Sequence, residues 1–110
     1  MTNPSSNPVY SAVPQLGRLR EEVLFGDVWE QPELSHRDRS VVTCSILAAL
    51  GRTDELAVHL RRAVDNSVTV DELRGLIVQT AFYAGWPAAV GAARAGLELF
   101  QEAAGSDTDV

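Results

Sequence analysis

Glu55 and His59 stand four residues apart, a spacing that brings side chains together on a helix. A carboxylate beside an imidazole fixes its tautomer and favours its protonated form, which suits a general acid near neutral pH. At about 100° per residue His59 falls about 60° from Leu56, on the border of a stripe formed by Leu56, Leu60 and Ala63. The same two residues could equally form an ordinary surface ion pair, worth about 0.3–0.5 kcal/mol. Arg39, at the start of an apolar helix, can fork onto a carboxylate or pair with a neighbour in solvent. Tyr83 and Trp86 flank a turn that precedes Pro87, where aromatics either pack a helix corner or wall a ligand pocket. Cys44 lies in an apolar run with no basic neighbour and reads as an inert core thiol.

Composition narrows the chemistry around these residues. All nine basic residues are arginines, so Schiff-base catalysis and a Walker-type phosphate loop are excluded. One cysteine allows neither an internal disulfide nor a Cys-x-x-Cys pair. Two histidines, Cys44 and scattered carboxylates have no ligand-like spacing, and no Gly-x-Gly-x-x-Gly occurs, so neither a metal nor a cofactor is expected. Fifteen acidic residues give a net charge of −6, which disfavours nucleic acid as a partner. No apolar run approaches the roughly 18 residues of a membrane span. The start, Met1 to Pro8, has neither a charged nor an apolar leader region, so the cytoplasm is the expected compartment.

The elements that must position these side chains are helical. The 110 residues are one domain's length, 45% apolar and 22% charged. Residues 1–13 are rich in Pro, Ser and Asn and are expected to be a flexible arm. Leu16, Leu19, Val23 and Leu24 predict a helix from Pro14 to about Trp29. A second is predicted over 36–50, opened by Ser35 and Asp38 and ended by Gly51; its half from Val41 to Leu50 is apolar nearly all round, which suggests burial against another subunit. The third opens at Thr53 and ends at Asn66-Ser67, with Asn66 suited to the left-handed conformation. Thr69-Val70-Asp71-Glu72 is a capping box for the fourth, whose stripe is Leu73, Leu76, Ile77, Thr80, Ala81 and Ala84. Pro87 starts the fifth, rich in small residues, which is expected to reach about Gln101. Residues 103–110 are expected to be a disordered acidic tail. No window alternates at period two, and the fold class is all-α.

Five segments in this order resemble the carboxymuconolactone decarboxylase family: Leu24-Phe25-Gly26-Asp27-Val28-Trp29, Arg37-Asp38-Arg39-Ser40-Val41-Val42-Thr43, Ala48-Ala49-Leu50-Gly51-Arg52-Thr53, His59-Leu60-Arg61-Arg62-Ala63 and Phe82-Tyr83-Ala84-Gly85-Trp86-Pro87-Ala88-Ala89. The resemblance implies a helical domain over 14–102, an antiparallel bundle of about five helices assembled as a cyclic homo-oligomer, a trimer or hexamer. It also implies a site between helices near subunit contacts. A redox branch resembling alkylhydroperoxidase D carries Cys-x-x-Cys four residues before a histidine; matched at His59, those positions are Arg52 and Glu55, and the branch's glutamate matches Ser40. Its peroxidase chemistry is therefore not expected.

The decarboxylase branch acts without a cofactor on a butenolide that bears a carboxylate on its γ-carbon and an acetate arm. Loss of CO2 drives electrons through the ring double bond onto the lactone carbonyl, and the dienolate is protonated on carbon. The protein must hold carboxylates, stabilise an oxyanion and deliver a proton. By resemblance Arg39 holds substrate, His59 delivers the proton and Glu55 orients it. Gln79 stands where relatives often carry histidine before the Phe-Tyr-Ala-Gly-Trp-Pro motif, and its amide can donate to an oxyanion. Gln79, Tyr83 and Trp86 complete the expected site. Two functions follow from these residues: a cofactor-independent lyase or isomerase for a small unsaturated lactone or carboxylic acid, and a non-catalytic oligomeric module that binds a small ligand or partner. Convergence of Arg39, His59 and Gln79 on one cavity separates them.

Overall fold

A computed structural model describes residues 7–108. Seven α-helices, one π-helical turn and one 3-10 turn account for its regular structure, with no strand among the described residues. The chain divides into two compact units at His36–Arg37.

In the first unit local signals start each element. The Asn7 side chain accepts the Val9 N–H at 3.0 Å, and Pro8 occupies the first turn of α1, Pro8–Ala12. Pro14 starts α2, Pro14–Leu19. Within the expected arm over 1–13, residues 8–12 are helical: an Asn cap and an N1 proline offset their polar, aperiodic composition. The part of that expectation on residues 1–6 lies outside the described residues. The single helix expected from Pro14 to Trp29 is also corrected. It widens into a π-helical turn, Arg20–Phe25, stops at Gly26, and resumes only as a 3-10 turn, Val28–Glu30. Arg20 lies over the Phe25 ring at 4.6 Å and the Tyr10 ring at 5.6 Å. Phe25 in turn meets the buried Trp29, at 5.6 Å between centroids.

The second unit is built on α3, His36–Leu50; α4, Thr53–Asp65; α5, Val70–Tyr83; α6, Trp86–Ala95; and α7, Leu97–Thr108. Its core is made of Cys44, Ala48, Leu56, Leu60, Ala63, Val68, Leu73 and Ala92, with Leu76, Ile77, Leu99 and Phe100 packed around it. The residues spaced four apart on α3, Ser40, Cys44 and Ala48, face that core. Helices α5 and α6 form a hairpin across residues 84–85, and α6 also packs on α4.

Two helix ends repeat one device. After α3, the Arg52 N–H reaches Leu47 O at 2.9 Å and the Gly51 N–H reaches Ala48 O at 3.2 Å, with Gly51 at φ 71°. After α4, the Val68 N–H reaches Ala63 O at 2.9 Å and the Ser67 N–H reaches Val64 O at 3.0 Å, with Ser67 at φ 75°. These are Schellman closures, and the second buries Val68 beside Ala63. The left-handed residue is therefore Ser67 and not Asn66, which sits at φ −93°. Asn66 is recruited elsewhere: its side chain donates to the buried Ser40 Oγ at 2.9 Å and ties α4 to α3.

The capping box is present as expected. Thr69 Oγ1 accepts the Glu72 N–H at 3.0 Å, and Glu72 Oε1 accepts the Thr69 N–H at 2.9 Å. The fifth predicted helix, in contrast, breaks at Gly96. A Cβ there would stand 2.7 Å from the Phe100 ring and 2.9 Å from Leu60 Cδ1, so glycine permits the close approach of this turn to α4. The following helix α7 runs to Thr108, into the segment from 103 expected to be a tail. Ala103 and Ala104 favour helix, and Arg61 of α4 holds Glu102 at 3.2 Å. Residues 109–110 of that expected tail lie outside the described residues.

Candidate functional site

The side chains of one row on α3, Arg37, Val41, Ser45 and Ala49, are spaced by four and share a face. On α5, Glu72, Leu76, Gln79, Thr80 and Tyr83 recur at three and four. The two rows, with Ala84, line an open groove of about 560 Å³. That is room for a small molecule.

The floor of the groove is apolar, with Val41, Leu76 and Ala49. Its two hydroxyls already have acceptors: Ser45 Oγ donates to Val41 O at 2.7 Å, and Thr80 Oγ1 donates to Leu76 O at 2.8 Å. Both oxygens keep lone pairs for a donor group on a ligand. Gln79 and Tyr83 lie one helical turn apart on α5 and are exposed. The primary amide can donate two hydrogen bonds and the phenol one.

The charged end holds Arg37. Its Nη2 donates to Glu72 Oε2 and its Nη1 to Asp38 Oδ1 at 3.3 Å. Glu72 raises the Arg37 pKa by hydrogen bond and by charge, so the guanidinium stays cationic. The Glu72 carboxyl is held below the ordinary carboxylate value, first by the Thr69 N–H and then by Arg37. The two oxygens of Glu72 thus have separate partners, one in the cap of α5 and one in the groove.

Of the residues expected from sequence, Gln79 and Tyr83 line this groove. Arg39, Glu55, His59 and Trp86 are not among its lining. For Arg39 the reason is helical geometry: it stands about 200° around α3 from Arg37, on the side of Ile46, and is half-buried. His59 is half-buried on α4 with Glu55 exposed one turn earlier. Trp86 opens α6 and meets Phe82 edge-on at 6.4 Å. Arg37, Glu72, Ser45 and Thr80 were not expected, although the fourfold spacing on α3 facing the capping-box glutamate could have revealed them. Cys44 is fully buried in the core, and burial pushes its thiol up to about 11. Among the described residues no cluster of His, Cys, Asp and Glu could hold a metal ion, and no helix is long and apolar enough to cross a membrane.

Residues 14–98 match the sequence profile of the carboxymuconolactone decarboxylase family. The chain is 46% identical over 78 residues to a 4-carboxymuconolactone decarboxylase of Acinetobacter baylyi, covering 71% of this chain and 58% of that protein. It is 34% identical over 72 residues to a nitrosuccinic acid decarboxylase of Metarhizium robertsii, covering 66% of this chain and 50% of that protein. The chain spans about half the length of these curated relatives.

Proposed function

The chain belongs to the carboxymuconolactone decarboxylase family, and from that premise we propose that it is a cofactor-independent decarboxylase or related isomerase. Its substrate in this reading is a small unsaturated lactone or carboxylic acid. The observation that carries the proposal is the groove between α3 and α5, apolar along its floor, with hydrogen-bonding side chains at both ends. Two relatives named as decarboxylases of different acids support the reaction class more than any one substrate.

In the proposed reaction the apolar floor holds the body of the substrate, and Gln79 donates to the oxygen on which charge develops as CO2 leaves. His59 returns a proton to carbon, Glu55 orients its ring, and Arg39 holds a carboxylate. Tyr83 and Trp86 wall the substrate. Because Arg39, Glu55, His59 and Trp86 lie off the groove of their own chain, the working form is a cyclic homo-oligomer, a trimer or hexamer, in which neighbouring copies complete each site.

The test is turnover of 4-carboxymuconolactone and of nitrosuccinate, followed by CO2 release. The expected pattern is a loss of about 10²–10⁴ in rate for His59→Gln, less for Glu55→Gln, and a raised KM for Arg39→Lys. A His59→Gln variant with near-normal turnover would remove that residue from the reaction. The dispersal of Arg39 and His59 away from the groove favours a second reading, a non-catalytic module that binds a small ligand in the groove. Ligand binding with no CO2 release from either acid would establish that reading.

A further inference from the structure

The groove has two chemically different ends, and the charged end is built around an exchangeable partner. Glu72 holds Arg37 through Oε2 while its Oε1 accepts the Thr69 N–H at 2.9 Å. Both members of the ion pair are more than a third exposed, so solvent screens their attraction and separation costs little. A guanidinium has five N–H donors, and the Asp38 carboxylate meets it at Nη1, at 3.3 Å. The fork therefore remains competent for a planar carboxylate after Glu72 departs. Glu72 in turn is not stranded, because the Thr69 N–H, the largest cause of its lowered pKa, stays with it.

We propose that Arg37 and Glu72 form the carboxylate end of the groove: a ligand carboxylate takes the place of Glu72 on the Arg37 fork, and Glu72 falls back on the helix cap it already makes. At the other end Gln79 meets a hydrogen-bond acceptor of the same ligand. Glu72 and Gln79 are seven residues apart on α5, roughly 10 Å along the helix axis. Both side chains lean toward the helix N-terminus, Glu72 as far as the Thr69 N–H, so the two ends stay about that far apart. A hydrogen bond at each end shortens what the ligand must span, so it is a compact acid whose carboxylate and carbonyl are separated by that distance or less. The flat apolar body between them lies on Val41 and Leu76. Arg37 is thus the binding residue and Glu72 the specificity residue, an internal competitor that any anion must displace. This inference rests on the groove being the site of a small carboxylic acid, and its test uses binding alone.

The probe is a saturated γ-butyrolactone with an acetate arm on the γ-carbon, compared with its methyl ester. Lacking the γ-carboxylate and the ring double bond, it cannot undergo the decarboxylation proposed above. Titration of the full chain, followed by amide shifts, is expected to give the acid an affinity about tenfold above the ester. Arg37→Gln is expected to abolish that difference. Glu72→Gln keeps the capping box, since glutamine serves there as well as glutamate. It is expected to tighten acid binding by about two- to fivefold, the scale of an exposed ion pair, while the ester is unchanged. Gln79→Leu should weaken acid and ester alike. Equal affinity of acid and ester for the wild-type chain, or Glu72→Gln binding the acid no more tightly, overturns the inference. Absence of CO2 release with the acid–ester difference intact overturns only the enzymatic reading.

Discussion

Cys44 sits at the centre of the core with its sulfur wholly shielded, and burial pushes its thiol up to about 11. Thiolate chemistry at neutral pH is therefore suppressed twice, by protonation and by access. Native protein at pH 7.5 should resist a maleimide for hours and react fully once denatured, as read by mass spectrometry; fast native labelling would contradict the buried placement. Glu72 illustrates the opposite environment. Its folded pKa is depressed below the ordinary 4.5, so its contribution to stability is present above that value and is lost as pH falls through the folded pKa. Melting curves of wild type and Glu72→Gln should differ at pH 7 and draw together in acid as pH falls through the folded pKa, while a gap unchanged down to acid unfolding would assign the effect to something other than charge. Arg37 and Arg39 carry a lesson at the same scale. Two arginines separated by one residue look alike in a sequence, yet the helix turns them to opposite sides, and only Arg37 reaches the groove.

At the scale of elements, the two Schellman closures differ by one atom group and invite opposite substitutions. Gly51 at φ 71° meets the conformational demand without cost, whereas Ser67 at φ 75° places a Cβ in a region that L-residues avoid by roughly 1–2 kcal/mol. Ser67→Gly should raise Tm by a few degrees, the net after glycine's extra freedom in the unfolded chain. Gly51→Ala should lower Tm by a similar amount; nothing lies within 4 Å of the point where the new methyl would stand, so the backbone alone sets the sign. Equal signs for the two variants in calorimetry would defeat the argument. Helices α3 to α6 were legible because each carries its own boundary signal: Gly51 after α3, Asn66-Ser67 after α4, Thr69 with Glu72 before α5, Pro87 in α6. The π-helical turn at Arg20–Phe25 and the break at Gly96 were not. The first involves stacking of Arg20 on rings fifteen residues apart in sequence, Tyr10 and Phe25, and the second depends on packing of Gly96 against Leu60. The lining of the candidate groove was legible in part: Gln79 and Tyr83 came from a motif, while Arg37 and Glu72 emerge only when the faces of α3 and α5 are paired.

For the whole molecule, α3 has more apolar surface than one chain covers. Ser40, Cys44 and Ala48 face the core, and Val41, Ser45 and Ala49 face the groove. Val42, Ile46 and Leu50 form a third row, and in this chain they remain 45%, 52% and 66% exposed. The corner between α5 and α6 adds Phe82 and Trp86, 76% and 65% exposed. Soluble monomers seldom present such contiguous apolar surface, and another copy of the chain is the occupant the proposed assembly supplies. Light scattering at micromolar concentration should therefore return a multiple of 11.9 kDa. Ile46→Glu gives the decisive comparison. Its side chain is half-exposed in the single chain, so a carboxylate there leaves the fold and its helical circular dichroism intact. Inside an interface the same charge loses its hydration without a partner, a cost several times that of burying a neutral polar group. The variant should remain helical and shift toward the single-chain mass. If the wild type already runs at 11.9 kDa, the assembly is absent and each site must work within one chain; if the variant keeps the full oligomer mass, the interface lies elsewhere, with the Phe82–Trp86 corner the next surface to charge.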